Sequence, residues 1–551
     1  MLGFGNGDAQ TTWERRRIGP LFAERGMVAA EHPLMTSAGL DVLERGGNAV
    51  DAAVAAAAVG SVVMPEMCGL GGDLFAIVYD PASGETLSFL GSGISPRGST
   101  IEQMRAAGED GKMPFRGPLA VGVPGMVDGY FALLSRFGSR SFAELAERAI
   151  SYAEAGHPVS TSLARYIGEY ASMLGSFEAS AATFLPGGKA PTTGQNLKQQ
   201  NLGRTLRTIA EQGHDVFYRG EVGERIIAAM TAAGGAMTLD DFAGHSTLVT
   251  LPIKTTYRDY TVYQTGIPSQ GMILLEALNV VEAAGTVPAE QDDAWHHLLV
   301  EAKKIAYADR AGYAVDPAFG TTPMDCLLSK EWAAKRAAAI DLERAADDVQ
   351  AGEHAQGDTT YLCTVDGNGM MVSLIQSVSA AFGCGMVAGD TGVVLNNRVG
   401  RGFSLEPGHV NIFEPGKKTM HTLNCFMVGD EAGTPILTGG TPGGDGQPQW
   451  NLQTITGMID CGLDVQAAIE APRWTSWPGT DPSYLPNPFE LRVEERMDDS
   501  VIAGLERRGH VVKRQDAWAG GGSSQAIARD PDTGVLAGGT DPRVEGAVAG
   551  F

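Results

Sequence analysis

A threonine that follows an aspartate at the head of a strand-like segment can do chemistry that a lone side chain cannot. In Gly357-Asp358-Thr359-Thr360-Tyr361, a cut at the bond before Thr359 would leave one residue carrying both a hydroxyl and a free α-amine. The hydroxyl attacks the preceding carbonyl, the acyl group shifts from nitrogen to oxygen, and water releases it. Only Ser, Thr or, as a thiol, Cys can do this. The freed amine has an ordinary pKa of about 7.7 to 8.0, close enough to neutrality to take the hydroxyl proton directly or through a water. Nucleophile and base then share one residue, so no Ser-His-Asp arrangement is needed and the nearby His354 needs no catalytic part. A plainer reading stands beside this one: Thr is favoured in strands, and Thr359 and Thr360 could simply start one.

A reactive hydroxyl must be held rigidly, and the flanking sequence offers the parts. Residues 359–365 mix short polar and apolar side chains, Asp366-Gly367-Asn368-Gly369 reads as a hairpin turn, and residues 370–376 are nearly continuously apolar. That is a strand, a tight turn and a strand buried on both faces. Upstream, residues 335–356 turn polar and Ala-rich, suited to an exposed stretch whose cut ends must separate. Residues 36–63 read as two helices joined by Gly46-Gly47-Asn48, and residues 75–79 and 85–90 as a hairpin across a turn at 80–84. From 141 to 350 the apolar spacing predicts mostly helix, with segments at 142–154, 202–212, 221–233 and 294–314. Residues 1 to about 25 read as a loosely constrained lead-in whose cluster Trp13-Glu14-Arg15-Arg16-Arg17 is solvated.

Composition bounds the function class. At 551 residues, length alone suggests two to four domains, and 43% hydrophobic with 19% charged residues is ordinary for a globular chain. A formal charge of −24 argues against nucleic acid and anionic membrane as partners. No apolar run is long enough to span a membrane, and the first 17 residues lack the apolar core of a secretion signal, so a cytoplasmic protein is expected. The six cysteines show neither C-x-x-C nor metal-ligand spacing and are expected to be buried small apolar groups in a reducing compartment. Gly69-Leu70-Gly71-Gly72 and the run from Gly439 to Gly446 lack a dinucleotide or P-loop fingerprint. His296 and His297 point about 100° apart on a helix, which makes them a poor metal pair; one is expected nearer the surface and one nearer the core. No metal or cofactor is expected.

Several further motifs recur with Thr359 in a known order. These are Thr359-Thr360 with Val365-Asp366, Phe382-Gly383 with Gly385, Thr391 to Asn397, and Thr441-Pro442-Gly443-Gly444. Gly26-Met27-Val28-Ala29, the run from Gly46 to Ala53, and Gly538-Gly539 with Asp541-Pro542-Arg543 extend the pattern to both ends. Over essentially its whole length the chain resembles the γ-glutamyltransferase family of N-terminal nucleophile hydrolases. The resemblance implies an α/β fold, a four-layer αββα sandwich formed by two self-processed segments, 1–358 and 359–551, which share one interwoven domain. It implies cleavage between Asp358 and Thr359, Thr359 as nucleophile, Ser377 as a hydroxyl hydrogen-bonding it, and Gly443 and Gly444 as donors to the oxyanion.

The departures from the family pattern concern specificity. Glutamate-specific members hold the donor carboxylate with an Arg in the segment matching residues 90–96, and this chain has no basic residue there. They hold the α-amine with an acidic residue after Asn396-Asn397, where this chain carries Arg398-Val399-Gly400-Arg401. Arg401 lies beside a one-residue insertion, so its register admits either the pocket or solvent. Ser379, His421 and Thr422 replace the family's Asn and Ser-Ser pair, and Asp445 follows the glycines. These replacements resemble the subset containing glutaryl-cephalosporin acylases and oxamate amidohydrolases, whose acyl groups bear a carboxylate but no α-amine. The expected function is therefore a self-processing amide hydrolase that passes such an acyl group through Thr359, with Ser379, Arg398, Arg401, His421, Thr422 and Asp445 binding substrate. An authentic γ-glutamyltransferase or glutathione hydrolase, a C-C hydrolase of a natural-product pathway, and a non-catalytic scaffold of the same fold are the alternatives. The expected partners are a small-molecule amide and the chain's own second segment as a heterodimer, with which a homo-oligomer is compatible.

Overall fold

Asp366 organises the central hairpin. One of its carboxylate oxygens accepts from the N–H groups of Asn368 and Met370 at 2.9 and 3.2 Å, closing the turn, and the other accepts from Ala49 N–H at 3.0 Å. The same side chain thus ties the turn to the start of the helix Ala49–Val63, whose N-terminus also carries an Asn48–Asp51 capping box. The structure, a computed structural model, describes residues 1–4, 13, 15–16, 19–285, 290–347, 358–477 and 489–551.

The hairpin pairs strand Asp358–Asp366 with Met371–Ser379 in the middle of a seven-stranded antiparallel sheet. Its edge-to-edge order is Ala547–Gly550, Gly26–Ala30, Asp358–Asp366, Met371–Ser379, Asp73–Asp80, Glu85–Gly91, Leu248–Thr250. Strands from both sides of the Asp358–Thr359 bond therefore interleave in one sheet. A second seven-stranded sheet, centred on Pro435–Gly440 and flanked by Gln525–Arg529 and Phe426–Gly429, lies against the first. Tyr361, Cys363, Ile375, Met427 and Ile527 fill the space between the sheets. On the outer face Leu362 joins the cluster built on helix Ala49–Val63, while helices Gly271–Ala283, Asp293–Tyr313 and Gln447–Ile459 cover the second sheet. The alternation Tyr361 in, Leu362 out, Cys363 in is the period-two pattern of a strand sandwiched between layers. The result is the αββα arrangement, with the central strands of both sheets buried on both faces.

The helices Pro33–Glu44 and Ala49–Val63 and the strands Asp73–Asp80 and Glu85–Gly91 lie where the sequence places them. The helical reading of 141–350 needs correcting: Leu248–Thr250, Ile253–Tyr257 and Tyr260–Gln264 are strands, two of them joined by a tight turn with Arg258 at φ 54°. Their β-branched and aromatic content favours extended backbone once a neighbouring strand is supplied. The helix expected at 142–154 breaks into Phe142–Leu145 and Glu147–Ala155. The lead-in is more tightly held than expected, because Leu21–Ala23 adds an edge strand and Arg15 pairs with Asp464 at 3.3 Å. Cys68, Cys363, Cys384 and Cys425 are buried, Cys461 is half-buried and Cys326 is exposed. Residues 348–357, the end of the polar run, lie outside the described residues. Among the described residues no helix is long and apolar enough to cross a membrane.

Candidate active site

Thr359 sits at a break in strand register. Asp358 faces Ser379 and Thr360 faces Gln376, so two residues of the partner strand oppose Thr359 and form a bulge. The bulge points the Thr359 hydroxyl at Ser377, to which it donates at 3.2 Å. Ser377 Oγ also accepts the Ser379 N–H at 2.7 Å. Ser379 ends the strand at φ 87°, an uncommon conformation for a non-glycine residue and one that surrounding bonds must maintain. Those bonds come from the asparagine pair: Asn397 Oδ1 accepts from Ala380 N–H at 3.0 Å, and Asn396 bonds to Gly71 and Gly122.

Behind this bulge lies a buried charged group. Asp73 is the cross-strand partner of Ser377, and its Oδ2 accepts from Arg398 Nε at 3.1 Å and from His421 Nε2 at 3.0 Å. Arg398 Nη1 reaches Thr422 Oγ1 at 3.3 Å, and Arg401 Nη1 donates to the Ser379 carbonyl at 3.1 Å. Arg401 is therefore buried beside the bulge, not directed to solvent. His421 Nδ1 accepts the Leu423 N–H at 3.2 Å, so its proton is on Nε2 and points at Asp73. Burial and then the neighbouring Arg398 push the His421 pKa down to about 4, which keeps the ring neutral. Burial opposes the charge on Asp73, but His421 and then Arg398 hold its carboxyl below the usual range.

The glycine loop closes the other side. Gly443 and Gly444 have φ of 120° and 55°, and a Cβ on Gly443 would lie 2.1 Å from Trp450 Cζ3. Gln270 Nε2 donates to the carbonyls of Thr422 and Gly444 at 2.6 and 2.7 Å. The Tyr307 hydroxyl and Gln449 Nε2 both donate to the Asp445 carbonyl. The Gly443 N–H shares a peptide plane with the Pro442 carbonyl, which accepts from Thr441 Oγ1 at 3.1 Å, and the Gly444 N–H shares one with the Gly443 carbonyl, which accepts from the Gly446 N–H at 2.9 Å, so neither N–H rotates freely. Asp445 is not gathered around Thr359: its carboxylate pairs with Arg310 at 3.0 Å, and it lines a separate cavity of about 120 Å³ beside Trp450.

Thr359 and Gly443 share the wall of a cavity of about 540 Å³ whose other sides include Glu31, Glu66, Arg165 and Tyr166. Ser379, Arg398, Arg401, His421 and Thr422 do not line it. The structure thus brings Thr359, Ser377, Ser379, Arg398, Arg401, His421 and Thr422 into one bonded group, with the Gly443-Gly444 loop joined to it through Gln270. Sequence reasoning missed Asp73, Gln270, Arg310 and Trp450. Asp73 had a visible signal, a charge straight after Gly71-Gly72 at the head of a strand that then stays apolar through Val78. The expectation for His296 and His297 also changes, since both are buried.

Comparison with known proteins places these features in context. The family model described as Gamma-glutamyltranspeptidase matches residues 35–551. The chain is 38% identical over 528 residues to a glutathione hydrolase-like proenzyme, YwrD, of Bacillus subtilis, covering 95% of this chain and 98% of that one. It is 36% identical to the oxamate amidohydrolase proenzyme of Klebsiella pneumoniae, covering 96% and 98%. Among solved structures, the cephalosporin acylase of Bacillus halodurans superposes with a TM-score of 0.90 at 36% identity over 99% of each chain.

Proposed function

The chain belongs to the gamma-glutamyltranspeptidase family of N-terminal nucleophile hydrolases, and we propose that it cleaves amides through an acyl-Thr359 intermediate whose acyl group bears a carboxylate and no α-amine. The observation that carries this reading is the placement of the Thr359 hydroxyl, hydrogen-bonded to Ser377 on the wall of the cavity it shares with Gly443. Processing divides the chain into 1–358 and 359–551. The freed α-amine of Thr359 accepts the hydroxyl proton as Oγ1 attacks the substrate carbonyl. Gly443 and Gly444 N–H groups stabilise the oxyanion, the leaving amine takes the proton as the C–N bond breaks, and water then releases the acyl group by the same route.

We infer that Arg398, buried behind the cavity wall, supplies the positive charge toward which the acyl carboxylate is drawn. Asp73 and Thr422 fix the direction of its guanidinium, and neutral His421 fixes Asp73 without adding a charge. A fixed, desolvated guanidinium is a strong partner for a carboxylate and a poor neighbour for an ammonium. Oxamate itself carries a carboxylate next to its amide, in keeping with the amidohydrolase relative. The 540 Å³ cavity leaves room for a leaving amine of several heavy atoms beside the acyl group. A second reading, γ-glutamyl transfer or hydrolysis, is favoured by one specific observation, the glutathione hydrolase-like relative.

A paired assay decides between them. Processed enzyme, with the smaller band on a denaturing gel beginning at Thr359, should turn over a glutaryl anilide faster than a γ-glutamyl anilide. Faster turnover of the γ-glutamyl compound, or full activity of an uncut chain, would overturn the proposal.

A further inference from the structure

Helix Asp293–Tyr313, whose Tyr307 and Arg310 reach Asp445, carries nearer its N-terminal end a side-chain cluster that amide hydrolysis does not use. His297 and Glu301 are four residues apart on this helix and so project from one face. His510, just beyond helix Asp499–Arg507, meets them there. All three are buried, and their potential ligand atoms lie within 4.8 Å of one another. The sequence hides this grouping because adjacent His296 and His297 do not make a site, whereas the i, i+4 pair with a histidine more than two hundred residues away does.

The proton positions are informative. His297 Nε2 lies 2.9 Å from the Asp341 carbonyl, which can only accept, so Nε2 carries the proton and Nδ1 presents a lone pair to the cluster. An imidazole anchored by N–H to a backbone carbonyl, with its other nitrogen aimed inward, is the usual arrangement of a metal ligand. His510 Nε2 stands 2.8 Å from that lone pair. Glu301 is held in place by Lys304 Nζ at 2.7 Å and by the Ala346 N–H at 3.3 Å, so its carboxylate is already oriented.

We propose that His297, Glu301 and His510 form a binding site for a divalent transition-metal ion of the zinc class, with solvent completing the coordination. Metal–nitrogen bonds of about 2.0 to 2.1 Å in a tetrahedral site separate two ligand nitrogens by about 3.3 Å, so binding moves the rings apart by roughly half an ångström. The hydrogen bond between the two imidazoles is replaced by two N–metal bonds, and the His510 proton moves from Nε2 to Nδ1. No proton is lost overall. Lys304 shares Glu301 and opposes the ion's charge, which weakens binding without blocking the ligand atoms.

The position suggests the role. His297 and Glu301 precede the Asp358–Thr359 bond and His510 follows it, so a bound ion ties the two proposed segments together. Asp341 and Ala346, which orient two of the ligands, belong to the stretch leading to that bond. The ion is a staple between segments and takes no part in the amide chemistry.

The test uses full-length purified protein stripped with chelator and titrated with Co²⁺, followed by the visible absorption of imidazole-ligated cobalt, with melting measured in parallel on addition of Zn²⁺. One equivalent of Co²⁺ per chain and a raised melting temperature are expected. Glu301→Gln and His510→Asn should each weaken Co²⁺ binding about tenfold or more while anilide hydrolysis is unchanged, and Lys304→Met should tighten it. Wild-type protein that shows no stoichiometric cobalt spectrum, or a spectrum that survives both ligand substitutions, overturns the site and leaves an imidazole–imidazole hydrogen bond only. If a ligand variant fails to fold, the wild-type titration and Lys304→Met still decide, since a purely structural cluster gives no cobalt band for Lys304→Met to shift.

Discussion

The two sides of Thr359 are built on opposite principles. Behind it, Ser377, Ser379, Asp73, Arg398, Arg401, His421 and Thr422 are buried in one bonded group: a neutral histidine and the Arg398 guanidinium hold the Asp73 carboxylate, and Arg401 holds the Ser379 carbonyl. In front lies about 540 Å³ of open space whose wall includes Arg165, a side chain 61% exposed that pairs with exposed Glu169 and lies over the Tyr166 ring. The contrast teaches how one nucleophile can be strict toward an acyl group and tolerant of a leaving group. A buried charge has lost its water already, so a mismatched partner costs the full unpaired-group penalty, while an exposed charge can be rehydrated and discriminates little.

Removing the nucleophile tests what the two sides share. Thr359→Ala should remain a single chain and lose at least about 1000-fold in hydrolysis, because hydroxyl and amine base disappear together; Thr359→Ser should process slowly and retain activity. A gel and an anilide assay read both, and a processed Thr359→Ala chain would break the comparison at its root.

Next in size is the loop. A methyl on Gly443 would strike the Trp450 ring at 2.1 Å and force a side chain into φ 120°. Gly443→Ala should therefore lower kcat by about 100- to 1000-fold with little change in KM, the pattern of a lost oxyanion donor. A change confined to KM would assign the loop to ground-state binding instead.

The contrast between the sides is sharpened by one arginine from each. Arg398→Ala should cost about 2 kcal/mol or more in kcat/KM for a substrate with a terminal carboxylate and far less for its uncharged isostere. Arg165→Ala should change either substrate by less than about threefold, as exposed charges do. Equal losses at Arg398 for both substrates would show that the buried group is only a scaffold.

The last effect is on acid stability and leaves the reaction aside. The folded pKa of His421 is depressed to about 4 from 6.5, so the folded state binds fewer protons than the unfolded chain between those values. Its contribution is present above about pH 6.5 and is lost as pH falls toward 4, roughly 3 kcal/mol in all. Asp73, also depressed, adds a loss only below its ordinary carboxylate range. Buried His32 and His245 act in the same direction as His421, so the readout is the difference between wild type and His421→Gln in urea melts at pH 7 and pH 4.5. Parallel declines in the two proteins would remove His421 from the account.

Much of the frame was legible along the chain because its causes are local. The Asp366 turn, the Gly46-Gly47-Asn48 break between two helices and the strand after Thr359 each depend on residues within a few positions, where backbone hydrogen bonding and side-chain period dictate the outcome. The family motifs placed Thr359, Ser377, Gly443 and Gly444 before any distance was known. Residues 248–264 were misread because short strands with mixed polarity become strands only when a sheet edge is offered to them. The second half of the site was beyond local reasoning altogether. Arg398 meets Asp73 across 325 residues, and His421 meets it across 348; the Gly443 backbone is confined by a ring seven positions on, across a helix start. Charge compensation in a dry interior depends on which groups the packed layers bring within about 3 Å, and spacing along the chain carries no record of that distance.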